Sequence, residues 1–135
     1  MAPDDARAAV TLRVLTLLVI LSAIPLTVAK AQPPPNVQTE IEYLLQYIET
    51  SGCSFYRNGT WYDGAHAGAH LRTKYDYLAS RDNISTAEDF IDKAATKSSV
   101  SGKPYKIRCA DGLEVESGPR LRQVLAQYRS QSPPS

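Results

Sequence analysis

The chain has 135 residues, with 15 basic and 14 acidic side chains and a formal net charge of +1. Nucleic-acid-binding domains usually carry a clear basic excess, so this charge balance argues against a nucleic-acid partner. The length is enough for one small domain with a modest core, and the sequence contains no internal repeat that would indicate a second domain.

The N-terminal segment, residues 1–31, has the pattern of a secretory signal peptide. Two arginines precede an apolar run, Val14–Leu26, and Ala29-Lys30-Ala31 follows as an A-x-A cleavage site. We expect cleavage between Ala31 and Gln32. A retained membrane anchor is the alternative, but the run of 13 residues is shorter than the roughly 20 that a spanning helix needs. No stable anchor is therefore expected after cleavage.

The predicted mature chain is electrically neutral, because the first 31 residues remove three basic and two acidic side chains. We expect a Pro-rich lead-in over residues 32–36, a single domain over residues 37–129 and a disordered polar tail over residues 130–135. The composition therefore predicts one small exported domain with short polar ends.

The first predicted element is a helix over about residues 37–51. Thr39 and Glu42 have the spacing of a capping box at its start, and Gly52 suits a left-handed cap at its end. The helix has one apolar stripe, which is formed by Ile41, Leu44, Leu45 and Ile48.

A β-hairpin and a second helix are predicted next. Asn58-Gly59 between two aromatic-rich arms is the strongest short hairpin signal, because both turn residues need positive φ. Asp63 can then cap a helix over about residues 64–80. One face of this helix carries small residues, so a neighbouring element can approach it closely; they are Gly64, Ala67 and Gly68.

The second half of the chain predicts two more helices around a strand. Ser85 and Glu88 form another capping-box pattern, and the alternation from Tyr105 to Cys109 indicates a half-buried strand. Pro119 suits the first turn of a last helix. The fold class is therefore α+β, with about four helices packed with a small antiparallel sheet or hairpin.

Cys53 and Cys109 are both in the predicted mature part. In an oxidising compartment, an isolated pair most simply forms one structural disulfide. The wide spacing argues against a redox-active CxxC pair. We therefore expect one disulfide that tethers the end of the first helix to the strand.

His66 and His70 are one helical turn apart and could chelate zinc, with Asp63 as a third ligand. The metalloprotease helix needs His-Glu-x-x-His, and Ala67 stands where that glutamate belongs. The chain has no further histidine. We therefore expect no bound metal and no cofactor, and weak zinc binding stays the minor alternative.

Catalytic motifs are incomplete throughout the chain, so an enzymatic role is not favoured. The serines near residue 100 fit neither a nucleophile elbow nor a phosphate-binding loop. The enzymatic alternative is a small hydrolase with His70 as general base, which needs a serine and an acid such as Asp89 or Asp92 in the same cleft.

Four short motifs occur in a fixed order along the chain. They are Arg57-Asn58-Gly59, His70-Leu71-Arg72-x-Lys74, Thr86–Lys93 and Ser98-Ser99-x-Ser101-Gly102-Lys103-Pro104-Tyr105. The set resembles the YfeK-like family of small exported bacterial proteins, a domain of unknown function, over most of residues 40–129. The resemblance implies a periplasmic or secreted protein of a Gram-negative bacterium. It supplies no activity, ligand or catalytic residue.

We expect a non-enzymatic accessory domain that binds an unidentified periplasmic protein or a small ligand. Cations beside short hydroxyl side chains can hold an anionic group. The sequence does not indicate an oligomeric state. The predicted binding surface consists of Arg57, His70, Arg72, Lys74, Ser98, Ser99, Ser101 and Lys103.

Overall fold

The computed structural model describes residues 23–26 and 31–132. Most of the predicted signal peptide, residues 1–31, lies outside these residues. Residues 23–26 and 31–34 have no regular secondary structure. Within the described ranges, every helix falls short of the length and apolar character that crossing a membrane requires.

The described residues form four helices and four strands, which confirms the α+β class. All neighbouring strands are antiparallel, and their order across the sheet is β2-β1-β3-β4. In chain order the elements are α1 (Pro35–Thr50), β1 (Ser54–Arg57), β2 (Thr60–Tyr62), α2 (Gly64–Ala79), α3 (Ala87–Ala94), β3 (Lys106–Arg108), β4 (Glu114–Glu116) and α4 (Ser117–Gln131).

Helix α1 begins at Pro35, which corrects the predicted start at residue 37 and its capping box. Proline suits the first helical turn because its missing N–H needs no partner there. Thr39 lies inside the helix and donates its hydroxyl hydrogen to the Pro35 carbonyl, while Glu42 pairs with Arg72. At the other end Gly52 has φ +72°, as the predicted left-handed cap requires.

The predicted hairpin is confirmed. Asn58 and Gly59 have φ values of 49° and 91° and connect β1 to β2. Asp63 then caps α2, because its carboxylate accepts a hydrogen bond of 2.8 Å from the His66 backbone N–H. The chain thus passes from the hairpin into α2 without a loop, which brings this helix against the sheet.

Helix α2 packs closely on α1 through its small residues, as the sequence predicts. A Cβ atom at Gly64 would clash with the Ile48 carbonyl oxygen, and one at Gly68 would clash with the Glu49 side chain. The absence of these two Cβ atoms sets the distance between the helices. It also fixes which face of α2 is left for the sheet.

Helix α3 is capped one residue later than the sequence predicts. Thr86 accepts the Asp89 backbone N–H at 3.0 Å, and the Asp89 carboxylate accepts the Thr86 backbone N–H at 3.2 Å. Ser85 and Glu88 are therefore not the capping pair. Glu88 instead binds Arg129 of α4, where the helices meet.

Strand β4 is an addition to the predicted fold. It follows the turn at Gly112, which has φ +74°, and pairs with β3 so that Val115 lies opposite Ile107. The predicted disulfide is present: the two cysteine Cα atoms are 4.2 Å apart, and the bond joins the start of β1 to the end of β3. The pairing of the strands and the disulfide together stabilise the sheet.

The core lies between the helices and one face of the sheet. Strand alternation directs Phe55 and Ile107 toward the helices, where both are buried. The last helix, α4, extends to Gln131, two residues into the predicted polar tail. The largest fully buried side chains are Phe90, Ile41, Leu44, Leu45, Ile48, Ile91, Ile107 and Leu121.

Candidate functional site

A pocket of about 220 Å³ opens between α2 and the sheet. Its walls are mainly apolar, and they include residues from three strands or their flanks, from α2 and from the start of α4. Pockets of this kind, apolar with a few polar groups, are the usual form of small-ligand sites. The apolar and aromatic lining consists of Phe55, Tyr56, Tyr62, Ala67, Leu71 and Tyr105.

The hairpin places a guanidinium group at this pocket. Arg57 and Tyr62 lie on the same face of neighbouring strands, and the Arg57 guanidinium carbon is 4.7 Å from the centre of the Tyr62 ring. A cation over an aromatic face is held by the ring's quadrupole. A hydrogen bond from Arg57 also lowers the pKa of the Tyr62 phenol. The tight turn after Arg57 therefore fixes its charge at the pocket wall.

Helix α2 contributes both histidines, one turn apart, to the same wall. His66 is exposed, and its Nδ1 lies 2.9 Å from the Asp63 carboxylate. His70 is half-buried, and its Nε2 lies 3.2 Å from the Tyr105 hydroxyl oxygen. The described residues contain no cluster of three or more acidic, histidine or cysteine side chains that could hold a metal ion.

Tyr105 links His70 to Lys74. The Lys74 ammonium donates to the Tyr105 hydroxyl oxygen at 3.3 Å and to the Lys97 carbonyl at 3.2 Å. Because an ammonium can only donate, the hydroxyl hydrogen of Tyr105 is free to point at His70 Nε2. That arrangement suits a neutral imidazole with its hydrogen on Nδ1.

The cluster of Arg57, His70, Lys74 and Tyr105 carries positive charge, and no acidic side chain among the described residues lines the pocket to balance it. Burial, followed by the positive charges of Arg57 and Lys74, lowers the pKa of His70. Burial and then Arg57 likewise lower the pKa of Lys74, and burial raises the pKa of Tyr105. His70 is therefore neutral near pH 7, and its protonation would add a further charge to the cluster.

The predicted serine segment lies beside the pocket but does not line it. Asn58 donates its amide hydrogen to Ser98 Oγ at 3.0 Å, and Ser101 donates its hydroxyl hydrogen to the Asn58 carbonyl at 2.5 Å. Ser98 is buried, whereas Ser99 and Lys103 are exposed. These contacts join the hairpin turn to the chain before β3, so they position Arg57.

Arg72 of the predicted surface faces α1. Its guanidinium donates to the Glu49 carboxylate at 2.8 Å and to the Glu42 carboxylate at 2.7 Å. Arg72 is two residues from His70 and from Lys74, which on a helix places it on a different face. The structure thus brings together Arg57, His70 and Lys74 but not Arg72.

The acids of the hydrolase hypothesis are held at other places. Asp89 completes the capping box of α3, and Asp92 pairs with Arg122 of α4. Neither of them lines the pocket. A serine that the sequence reasoning missed, Ser117, does line it, together with His70.

Two functional candidates are missed by sequence reasoning because long-range pairing places them. Tyr105 reaches His70 from the chain before β3, and Ser117 arrives through the unpredicted strand β4. Tyr62 carries a local signal, because the Asn-Gly turn folds the two aromatic-rich arms back on each other and sets Tyr62 on the same face as Arg57. Lys106 and Tyr56 also border the pocket, but strand alternation directs their side chains to the outer face of the sheet, where the Lys106 ammonium lies 5.4 Å from the centre of the Tyr56 ring.

Comparison with known proteins gives a family without an assigned activity. A family model described as a family of unknown function, DUF5329, matches residues 35–129. The chain is 48% identical over 52 residues to the uncharacterized protein YfeK of Salmonella typhimurium strain LT2. That match covers 38% of this chain and 42% of the length of that curated relative. No solved structure matches. The resemblance to a YfeK-like family is confirmed.

Proposed function

The chain belongs to the DUF5329 family of unknown function, and we propose that it is an exported, non-enzymatic domain that binds a small ligand between α2 and the sheet. The observation that carries this proposal is the apolar pocket with Arg57 and His70 in its wall. A concave site of this size suits a small molecule better than the broad surface of a protein partner.

Export to the periplasm of a Gram-negative bacterium is supported by two independent features. The pattern of residues 1–31 is that of a cleaved signal peptide. The Cys53–Cys109 disulfide fits an oxidising compartment, because cytosolic reductants keep most thiols reduced. A free mature chain that begins at Gln32 and contains the disulfide is the form we expect in the cell.

A binding role fits the site better than the hydrolase alternative. Tyr105 lies within hydrogen-bond distance of His70 Nε2, the atom that a general base would use. Neither Asp89 nor Asp92 lines the pocket to orient that imidazole. We therefore expect the purified protein to hydrolyse p-nitrophenyl acetate no faster than buffer does.

The test is an NMR titration of ¹⁵N-labelled mature protein. The probes are indole, tryptamine, indole-3-acetate and glucose, which differ in charge and polarity. At least one should shift backbone resonances of the pocket wall in a saturable way. If none does so at millimolar concentration, the proposed function is wrong.

A matched pair of variants locates the binding. Ala67 lines the pocket, whereas Ala69 is exposed on the same helix. Ala67→Phe should fill the pocket and abolish the shifts, while Ala69→Phe should leave them unchanged. Equal binding by the two variants would place the ligand elsewhere on the protein.

A further inference from the structure

Positive charge in the pocket lacks a matching carboxylate. Arg57 makes no ion pair with an acidic side chain in the part of the chain that the structure describes. By contrast, Arg72 and Arg129 each bind two carboxylates. No Asp or Glu is among the described residues that line the pocket. A partly enclosed cation without a counter-charge attracts an anion from solution.

A second polar group faces the same space. Ser117 is the first residue of α4 and is only 4% exposed. It lines the pocket, so its hydroxyl is available for a hydrogen bond with a polar atom of a ligand there.

The remaining walls of the pocket are apolar, so they suit an anion whose other atoms are mainly apolar. Phe55 and Leu71 are buried and Tyr62 is half-buried, so the pocket presents aromatic and aliphatic carbon on several sides. Aromatic rings pack well against such walls in offset or edge-on geometry. A simple inorganic anion would leave this apolar surface uncovered.

We propose that the ligand is a small aromatic organic anion, with its anionic group at Arg57 and its ring against the apolar walls. This inference rests on the proposed function, and it names the ligand class for the same pocket. Arginine is suited to the anionic group because its planar fork can donate two parallel hydrogen bonds. The cavity of about 220 Å³ limits the ligand to about the size of one fused ring system.

Binding of such an anion is coupled to protonation of His70. The groups that face this imidazole are Arg57 from β1, Tyr105 from the chain before β3, and Lys74 on its own helix. In the free protein the cations disfavour the imidazolium, whereas a bound anion stabilises it. Affinity should therefore rise as the pH falls from 8 toward 6, while the ligand's own carboxylate stays ionised.

The experiment compares three probes of nearly equal shape by calorimetry on mature wild-type protein. They are indole-3-acetate, its neutral amide indole-3-acetamide, and the cation tryptamine. We expect the acetate to bind about tenfold or more tightly than the amide, as loss of a charge-assisted hydrogen bond predicts. Equal binding of acetate and amide would overturn the ligand class and leave the pocket function standing. Absence of binding by all three would overturn both.

Variants assign the contacts. Arg57→Gln should weaken indole-3-acetate binding about tenfold and leave indole-3-acetamide binding within about twofold. Arg81→Gln is the matched control, because Arg81 is exposed and stacks on Tyr77, which does not line the pocket. Unchanged acetate affinity in Arg57→Gln would contradict the proposed contact, and the wild-type probe comparison remains decisive if that variant unfolds.

Discussion

The Tyr105 hydroxyl oxygen lies 3.2 Å from His70 Nε2, across the floor of an apolar pocket. The two residues are 35 positions apart in the chain. Their contact joins α2 to the chain that enters β3, so it links the helix to the sheet at the pocket. It also leaves His70 neutral and close to two cations, which makes this residue a sensitive reporter of charge in the site.

Arg57→Gln should raise the pKa of His70. The Arg57 charge is one of the causes that lower this pKa, so its removal relieves repulsion of the imidazolium. The measurement is an NMR titration of the histidine ring protons, with His66→Asn used for assignment. Arg81→Gln should leave the titration of His70 unchanged. A fall in the pKa of His70 in the Arg57 variant would contradict this electrostatic account.

Replacement of both cysteines by alanine should lower the free energy of unfolding by about 4 kcal/mol. The bond joins residues separated by 56 positions, and its loss increases the entropy of the unfolded chain. Urea unfolding of wild-type and variant protein measures the difference. Dithiothreitol should destabilise the wild type and leave the double variant unchanged. If reduction has no effect on the wild type, the disulfide does not stabilise this fold.

Gly64→Ala should destabilise the protein by about 1–3 kcal/mol, despite the better helix propensity of alanine. The added methyl group meets the Ile48 carbonyl oxygen, which is backbone and cannot move aside cheaply. Thermal unfolding followed by circular dichroism measures the effect. Thr73→Ala, at an exposed position of the same helix, is the control and should change stability by less than about 0.5 kcal/mol. A stabilised Gly64 variant would mean that the helices are not in close contact.

Ser98→Ala should lower the free energy of unfolding by about 1–3 kcal/mol. The reason is that Ser98 Oγ accepts hydrogen bonds from the Asn58 amide and from the backbone N–H groups of Val100 and Ser101. The exposed neighbour Ser99 provides the matched control, and Ser99→Ala should be nearly neutral. Chemical denaturation of both variants distinguishes the two cases. Equal stability of the two variants would show that the turn contributes nothing to the hairpin.

Arg72→Met should reduce the acid dependence of stability. Arg72 lowers the pKa of Glu42 through a charge-assisted hydrogen bond, so the pair stabilises the fold above the ordinary glutamate pKa. That contribution disappears as the pH falls through the lowered folded-state pKa. Because Glu42 is exposed, we expect the ion pair to contribute only about 1 kcal/mol to the free energy of unfolding at pH 7 and nothing near pH 2.

Urea unfolding at several pH values, with Arg81→Met as the control, measures this difference. The wild type and the Arg72 variant should converge in stability at low pH. If the gap between them is constant from pH 7 to pH 2, the ion pair with Glu42 is not its source.

Local patterns predicted the parts of the fold that local chemistry determines. The Asn58-Gly59 turn, the Gly52 cap and the small face of α2 depend on backbone sterics, and these are visible in the residues themselves. The local pattern does not decide which residue caps α3, because two hydroxyl residues, Ser85 and Thr86, stand side by side before it. Thr86 is the cap, and Asp89, three residues after it, completes the capping box. The aspartate side chain is shorter than that of Glu88, which stands three residues after Ser85.

The sequence pattern does not predict strand β4, because this strand is only three residues long and carries one apolar side chain between two glutamates. Such a strand is stabilised by its pairing with β3 rather than by its own composition. Two consequences follow for the site. The pairing brings Ser117 to the pocket, and the helical period removes Arg72 from it. Both outcomes depend on long-range geometry, which residue spacing alone does not contain.

The most direct measurement of the central claim is the pKa of His70, by NMR, with and without saturating indole-3-acetate. If the pocket binds an aromatic anion beside Arg57, the bound carboxylate should raise the pKa of His70, and indole-3-acetamide at saturation should leave it within about 0.2 units of the free value. An unchanged pKa of His70 in the presence of bound indole-3-acetate would contradict the account.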